Sequence, residues 1–257
     1  MTAPTVLVHR AQELLARAVA ARLVTRIADA QAARGTASVV LTGGGVGTAV
    51  LAELAASGAR DAVDWRRIDL WWGDERFLPT GDDERNETGA RKALLDQVDL
   101  DPARVHAMPA TDGPDGEEVA AAAERYAAEL RAAASGGGPV PAFDVLMLGV
   151  GPDAHVASLF PGMPALGDEG TVVPVHDAPK PPPTRISLTF PAIRAAREVW
   201  LLAAGESKAR AVHLGLSGTD PVEAPVAGAR GRERTLFLLD QAAAAELPDG
   251  LEHVLTP

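Results

Sequence analysis

The chain of 257 residues contains no cysteine. This absence excludes disulfide bonds, thiolate catalysis and cysteine-ligated zinc or iron–sulfur centres. Long apolar runs are also missing: none approaches the roughly 20 residues of a membrane span, and no apolar stretch follows a basic start at the N-terminus. The sequence therefore predicts a cytoplasmic protein that does not insert into a membrane.

Basic residues are fewer than acidic residues. Lys and Arg total 24 against 35 Asp and Glu, which gives a formal net charge of −11 and a pI near 5.0. A broad nucleic-acid surface depends on clustered Lys and Arg, so a nucleic-acid partner is not expected. A small anionic substrate needs only two or three converging cations, and helix N-termini can add to their field.

Short apolar runs alternate with longer Ala-rich stretches of helical periodicity, which is typical of βα units. Predicted helices lie near residues 9–34, 47–57, 86–96, 117–134 and 207–216. Predicted strands cover 38–42, 67–72, 143–150, 185–190, 198–204 and 234–240. Most of these strands lack alternation, as in a parallel sheet that is covered on both faces.

The sequence thus predicts an α/β fold with a Rossmann-like, mainly parallel sheet flanked by helices on both faces. We expect a single domain over residues 1–257. Gly/Pro-rich segments at 134–141 and 179–184 also allow a two-domain arrangement in which they are linkers. We favour surface loops, because strand-like segments of the same character flank each of them.

A glycine cluster, LTGGGVGT from Leu41, separates a buried-type strand from an amphipathic helix. Without side chains, the backbone there can approach an anion closely, and the helix directs free N–H groups toward it. The functional interpretation is a phosphate cradle, and the alternative is a tight turn without a ligand. Nucleotide binding is disfavoured, since the segment lacks the Lys-Ser or Lys-Thr of a P-loop and has Thr48 at the third small position of the dinucleotide motif.

Two further segments place polar residues directly after strands, where ligands of open α/β sheets collect. In WWGDERF from Trp71, Asp74 and Glu75 precede Arg76, which could bind a phosphate bidentately. The alternative is a solvated turn with local ion pairs. In LGVGPDAHVASLFPG from Leu148, His155 is suited to accept and return a proton near pH 7, and Asp153 could orient it or bind a substrate hydroxyl. The alternative for this histidine is a structural role, which is the interpretation we adopt for the other five histidines.

Together these segments closely resemble the 6-phosphogluconolactonase family, which shares its fold with the glucosamine-6-phosphate deaminases. The resemblance continues through ERNETGARKALL, RISLTFPAI and GESKARAV, and so covers most of the chain in order. It implies that His155 is the catalytic base and places Asp74 and Asp153 in the catalytic group. It also implies a substrate-binding and phosphate-binding set of Gly44, Gly45, Arg76, Asn86, Arg185 and Lys208.

Two positions depart from the family pattern. Ala154 stands where the motif usually has glycine, which leaves open whether the backbone there needs a positive φ. Val46 stands where Ser or Thr is common, which removes a possible hydroxyl donor to phosphate but leaves the backbone N–H.

The resemblance implies hydrolysis of 6-phosphoglucono-1,5-lactone, in the oxidative pentose phosphate pathway, by a monomer without cofactor or metal. One alternative is a sugar-phosphate deaminase, but the residues after His155 supply no glutamate for the proton transfers of that reaction. Another is a non-catalytic sugar-phosphate sensor, for which the sequence offers no DNA-binding region.

Overall fold

Ten β-strands form within residues 3–135 and 137–256, which the computed structural model describes. Their bounds are β1 Thr5–His9, β2 Ala37–Leu41, β3 Ile68–Trp72, β4 Asp74–Arg76, β5 Val145–Gly149, β6 Val172–Val175, β7 Arg185–Leu188, β8 Glu198–Ala203, β9 Arg234–Asp240 and β10 His253–Leu255.

Seven of these strands make a parallel sheet in the order β10-β1-β9-β8-β5-β2-β3. The central strands are largely apolar because both faces are covered; every residue of β8, including Glu198, is buried. This arrangement confirms the predicted Rossmann-like sheet. Strand β1 and the edge strand β10 were not predicted, and His9, which was predicted to begin the first helix, is the last residue of β1.

The described residues contain seven α-helices, together with single turns of 3₁₀ helix. The helices are α1 Gln12–Arg34, α2 Gly44–Ala56, α3 Asn86–Ala93, α4 Val119–Ala133, α5 Phe190–Arg194, α6 Ala209–Leu216 and α7 Pro225–Gly228. None of the helices in the described part of the chain is long and apolar enough to cross a membrane.

Crossover handedness distributes the helices over both faces of the sheet. Helices α1 and α2 pack against each other, since both connections run toward the β3 edge and right-handed crossovers in one direction lie on one face. The connection that contains α4 runs back from β3 to β5 and therefore lies on the opposite face. The Tyr126 hydroxyl of α4 accepts a hydrogen bond from the N–H of Trp72 at 3.2 Å, which joins that helix to β3.

The remaining three strands form an antiparallel sheet in the order β4-β7-β6. Two predictions were wrong here: residues 185–190 were expected in the main sheet, and no strand was expected at Asp74–Arg76. All four residues of β7 are buried, and they alternate polar and apolar side chains, which is common in antiparallel sheets. The pairing sets Arg76 directly opposite Arg185.

A partly buried histidine joins β3 to the residues that follow it. The ring of His106 stacks on Trp71 with centroids 3.7 Å apart, while Nδ1 lies 2.7 Å from Glu129 and Nε2 lies 3.5 Å from Asp69. Burial opposes the charged ring, but the two carboxylates outweigh it and raise the pKa of His106 to about 9. His106 is therefore an imidazolium at neutral pH and has a structural role.

Both Gly/Pro-rich segments connect neighbouring elements. Residues 179–184 join β6 to β7, which pair with each other, and residues 134–141, of which Gly136 lies outside the described residues, lead from α4 toward β5. The first of these loops carries a site residue that the sequence analysis missed.

Candidate active site

A cavity of about 200 Å³ opens at the carboxyl edge of the parallel sheet, next to β2 and β5. These strands are neighbours, yet the chain leaves β2 toward β3 and leaves β5 toward β8. The two connections diverge and open a crevice, which is the usual ligand position in such sheets. The cavity lining includes eight of the nine predicted site residues, namely Gly44, Gly45, Asp74, Arg76, Asn86, His155, Arg185 and Lys208.

The ninth predicted residue, Asp153, contacts His155 directly. Its Oδ1 lies 2.5 Å from the Nδ1 of His155. Because a carboxylate only accepts hydrogen bonds, Nδ1 carries the proton and Nε2 is the nitrogen with a free lone pair. Burial opposes its ionisation, yet hydrogen bonds from His155 and Lys180 hold the pKa of Asp153 well below its usual range. The pair is therefore an oriented base with a permanently charged partner.

The turn that carries His155 depends on its small residues. A Cβ on Gly151 would lie 2.0 Å from the Nδ1 of His155, so only glycine lets the ring take this position. Ala154 adopts φ +66, which shows that the backbone does need a positive φ where the family has glycine. Alanine is accommodated there at a cost of about 1 kcal/mol.

The glycine cluster forms the first turn of α2, which begins at Gly44 and not at residue 47 as predicted. Gly44 has φ +76, and the first N–H groups of the helix have no partner within it. A Cβ on Gly43 would lie 1.8 Å from the Oδ1 of Asn86, so this turn also requires close approach. Val46 lines the cavity from the same turn.

The small sheet supplies a second wall. Asp74 lies at the start of β4, where its Oδ2 accepts from the hydroxyl of Ser158 at 2.7 Å and its Oδ1 from the amide of Asn86 at 3.4 Å. Arg76, at the end of β4, donates from one guanidinium nitrogen to the carbonyl of Glu84, while its Nε is buried without a partner among the described residues. Arg76 thus keeps donor capacity for an anion.

Glu75 stands between these two residues and faces away from the cavity. Its carboxylate accepts from the N–H groups of Arg76, Asn86 and Glu87 at 2.7–2.9 Å and so caps the start of α3. Burial raises the pKa of Glu75 to about 7, against the opposing effects of Arg85 and the three N–H donors. This cap fixes the positions of Arg76 and Asn86.

Arg185 lies at the cavity, and its guanidinium also makes hydrogen bonds that the sequence did not indicate. Its guanidinium donates to the carbonyls of Pro182, Lys180 and Pro181 at 3.1, 2.9 and 3.2 Å, although it also lines the cavity. It therefore holds the 179–184 loop in place. The loop brings Lys180 into the cavity, which was not predicted from the sequence.

Lys180 and Lys208 complete a cationic cavity in an acidic protein. Lys208 follows β8 in a single helical turn. Burial and the neighbouring charge of Lys180 lower the pKa of Lys208. With Arg76 and Arg185, four basic residues line the cavity, so an anionic ligand is strongly favoured.

The matching family model is described as glucosamine-6-phosphate isomerases/6-phosphogluconolactonase, and it matches residues 10–238. The chain belongs to this family. A 6-phosphogluconolactonase of Streptomyces coelicolor is 65% identical over 251 residues, which is 96% of each chain.

Two solved structures relate the fold to both branches of the family. The 6-phosphogluconolactonase of Trypanosoma brucei superposes with a TM-score of 0.82 at 29% identity, covering 96% of this chain and all of that one. A monomeric glucosamine-6-phosphate deaminase superposes with a TM-score of 0.77 at 21% identity, covering 94% and 99% of the two chains. That identity is low enough that the second likeness concerns the fold alone.

Proposed function

We propose that this member of the family hydrolyses 6-phosphoglucono-1,5-lactone to 6-phosphogluconate, in the oxidative pentose phosphate pathway. The observation that carries the proposal is the His155–Asp153 pair in the same cavity as four basic side chains and the start of α2. An oriented base beside an anion-binding surface suits a reactive ester that carries a phosphate. The 65% identity to the Streptomyces coelicolor relative supports the same substrate.

The first step is attack of water on C1 of the lactone. His155 takes the proton of that water at Nε2, because Asp153 holds the other proton on Nδ1. The imidazolium that forms is stabilised by the Asp153 carboxylate. Donors in the cavity stabilise the negative charge that develops on the carbonyl oxygen.

The second step is opening of the ring. As the C1–O5 bond breaks, the imidazolium of His155 returns its proton to O5, which leaves as the hydroxyl of the open-chain acid. The products are the carboxylic acid and the regenerated neutral histidine. Since one water is consumed and one proton is carried by a single group, these residues complete the reaction at neutral pH.

The phosphate of the substrate is assigned to Arg76, Lys208 and the amides at Gly44 and Gly45. These groups belong to three different elements that meet at the cavity. Arginine and helix N-terminal amides are well suited to a phosphate dianion. Asn86 and Asp74 remain for the sugar hydroxyls, and Arg185 acts mainly on the loop that it holds.

Glucosamine-6-phosphate deamination is the alternative, and the segment after His155 disfavours it. That segment contains Val156, Ala157, Ser158, Leu159 and Phe160, all of them buried. Within the described residues, Asp74 is the one acidic residue of the cavity lining. A lactone hydrolase needs no further acid for proton transfer between carbons.

A stopped-flow assay of acid release from freshly generated lactone, corrected for spontaneous hydrolysis, tests the proposal. We expect rapid acceleration by the protein and no ammonium release from glucosamine 6-phosphate. Ammonium release without lactone hydrolysis would instead assign the deaminase activity.

We propose further that the protein acts as a monomer in the cytoplasm, since one chain supplies every residue assigned to the site. Sedimentation of the purified protein and fractionation of the source cells test this. A dimer at assay concentrations, or recovery outside the cytoplasmic fraction, would contradict it.

A further inference from the structure

We propose that Lys180 is a positioning residue for His155, an inference that rests on the proposed lactone hydrolysis. Its ammonium group shares the Asp153 carboxylate with the imidazole and favours the neutral ring, which is the form that accepts a proton from water.

The geometry places Lys180 in direct contact with the base and with its carboxylate partner. Its Nζ donates to the Oδ1 of Asp153 at 3.1 Å, the same oxygen that lies 2.5 Å from Nδ1 of His155. Nζ is also 3.4 Å from that Nδ1. Because both nitrogens carry protons, this last contact is repulsive, and the repulsion increases when the ring becomes an imidazolium.

Two effects therefore act in the same direction. The positive charge of Lys180 opposes a second positive charge on the ring. Its hydrogen bond to Asp153 also competes with the imidazolium for the same carboxylate, which weakens the stabilisation of the imidazolium. Asp153 orients the ring, while Lys180 limits how strongly that carboxylate stabilises the imidazolium.

The other charged groups around the cavity do not replace this contact. On the β8 side Lys208 is close enough to interact with both Lys180 and Asp153. On the small-sheet side Arg185 lies 5.7 Å from the ring of Phe160, which in turn is 4.5 Å from the His155 ring. Arg76 and Asp74 line the farther wall. Removing Lys180 thus changes the charge in direct contact with the Asp153–His155 pair.

Lys180 is held in this place by its own loop. Arg185 donates to the carbonyl of Lys180 and to those of the two following residues, and the N–H of Ala178 donates to the carbonyl of Pro183 at 2.9 Å. The backbone is fixed by these bonds while the lysine side chain remains 41% exposed. A substitution at the side chain should therefore leave the fold intact.

The test compares Lys180→Met with Lys180→Arg, and with Lys92→Met as a matched control. Lys92 forms an ion pair on the surface with Asp83 and lies outside the cavity. One readout is kcat/KM for lactone hydrolysis from pH 5.5 to 8.5. The other is the NMR titration of the His155 imidazole, assigned with a His155→Ala sample, which needs no turnover.

We expect Lys180→Met to move both the acidic limb of kcat/KM and the imidazole titration to higher pH by about one unit. Activity should then fall about tenfold at pH 5.5 and change little at pH 8.5. Lys180→Arg should restore most of the wild-type profile, and Lys92→Met should leave it unaltered.

The inference is overturned if Lys180→Met moves neither the acidic limb of the kcat/KM profile nor the imidazole titration. If KM rises and kcat does not change, Lys180 is assigned to phosphate binding. If kcat/KM falls equally at every pH, Lys180 has a structural role. Absence of lactone hydrolysis by the wild type would contradict the proposed function instead, and the imidazole titration would still decide whether Lys180 acts on His155.

Discussion

Replacing Asp153 by Asn removes the negative charge next to Nδ1 of the catalytic base, His155, with little change in the size of the side chain. Asp153 is in contact with Nδ1 of His155 at 2.5 Å and is about one-third exposed. Two unit charges 4 Å apart interact by about 4 kcal/mol at an effective dielectric constant near 20. Solvent screening at this exposure reduces that to about 3 kcal/mol.

The expected result is a fall in kcat on the order of 10²-fold, with KM within a few fold of wild type because the phosphate-binding groups are unchanged. The acidic limb of the pH profile should move to lower pH, opposite to the effect of Lys180→Met. Rates of acid release from fresh lactone between pH 5.5 and 8.5 give all three quantities. Asp177→Asn is the control, since Asp177 is exposed with φ +54, which Asn tolerates. A kcat for Asp153→Asn within threefold of wild type would show that the Asp153 charge does not stabilise the imidazolium during catalysis.

Four further predictions follow from the same geometry. Arg76→Ala should lower kcat/KM by about 2 kcal/mol through loss of a charged hydrogen-bonding partner, and unchanged kinetics would remove Arg76 from the phosphate site. Gly151→Ala should lower kcat about 10²-fold by displacing the ring, whereas Gly149→Ala, whose nearest new contact is 3.7 Å away, should not; equal effects would contradict this. His106, with its pKa raised from 6.5 to about 9, should contribute about 3 kcal/mol of stability that is full below pH 6.5 and is lost as pH rises through 9, so urea midpoints of wild type and His106→Gln should converge by pH 10. A chelator such as EDTA should leave the rate unaltered, and restoration of a lost rate by a divalent ion would refute that.

The sequence was a good guide to the parallel sheet because its central strands are buried on both faces, and continuous apolar runs such as β5 and β8 show this directly. The pattern of β7 is different, since its sequence Arg-Ile-Ser-Leu alternates polar and apolar residues, as is common in antiparallel sheets, although all four residues are buried. Its expected place in the main sheet overlooked that alternation. Strand β1 and the edge strand β10 depend on pairing partners far along the chain. Such pairing leaves little local trace in the sequence.

The cavity was predicted well where the site residues follow strands, as His155 does in the turn after β5. Lys180 was missed because it lies in a proline-rich loop whose composition indicates only a turn. Its position depends on three hydrogen bonds from Arg185 to backbone carbonyls, and no residue pattern encodes such bonds. The positive φ of Ala154 was likewise visible only in the backbone.

The most direct test of the central claim compares wild type and His155→Ala in the stopped-flow lactone assay, with phosphate binding measured in parallel by competition with inorganic phosphate. We expect the wild type to accelerate hydrolysis and His155→Ala to lose about 10² to 10⁴-fold of that rate while its phosphate affinity is retained. Full activity in His155→Ala would contradict the assignment of His155 as the base that activates water.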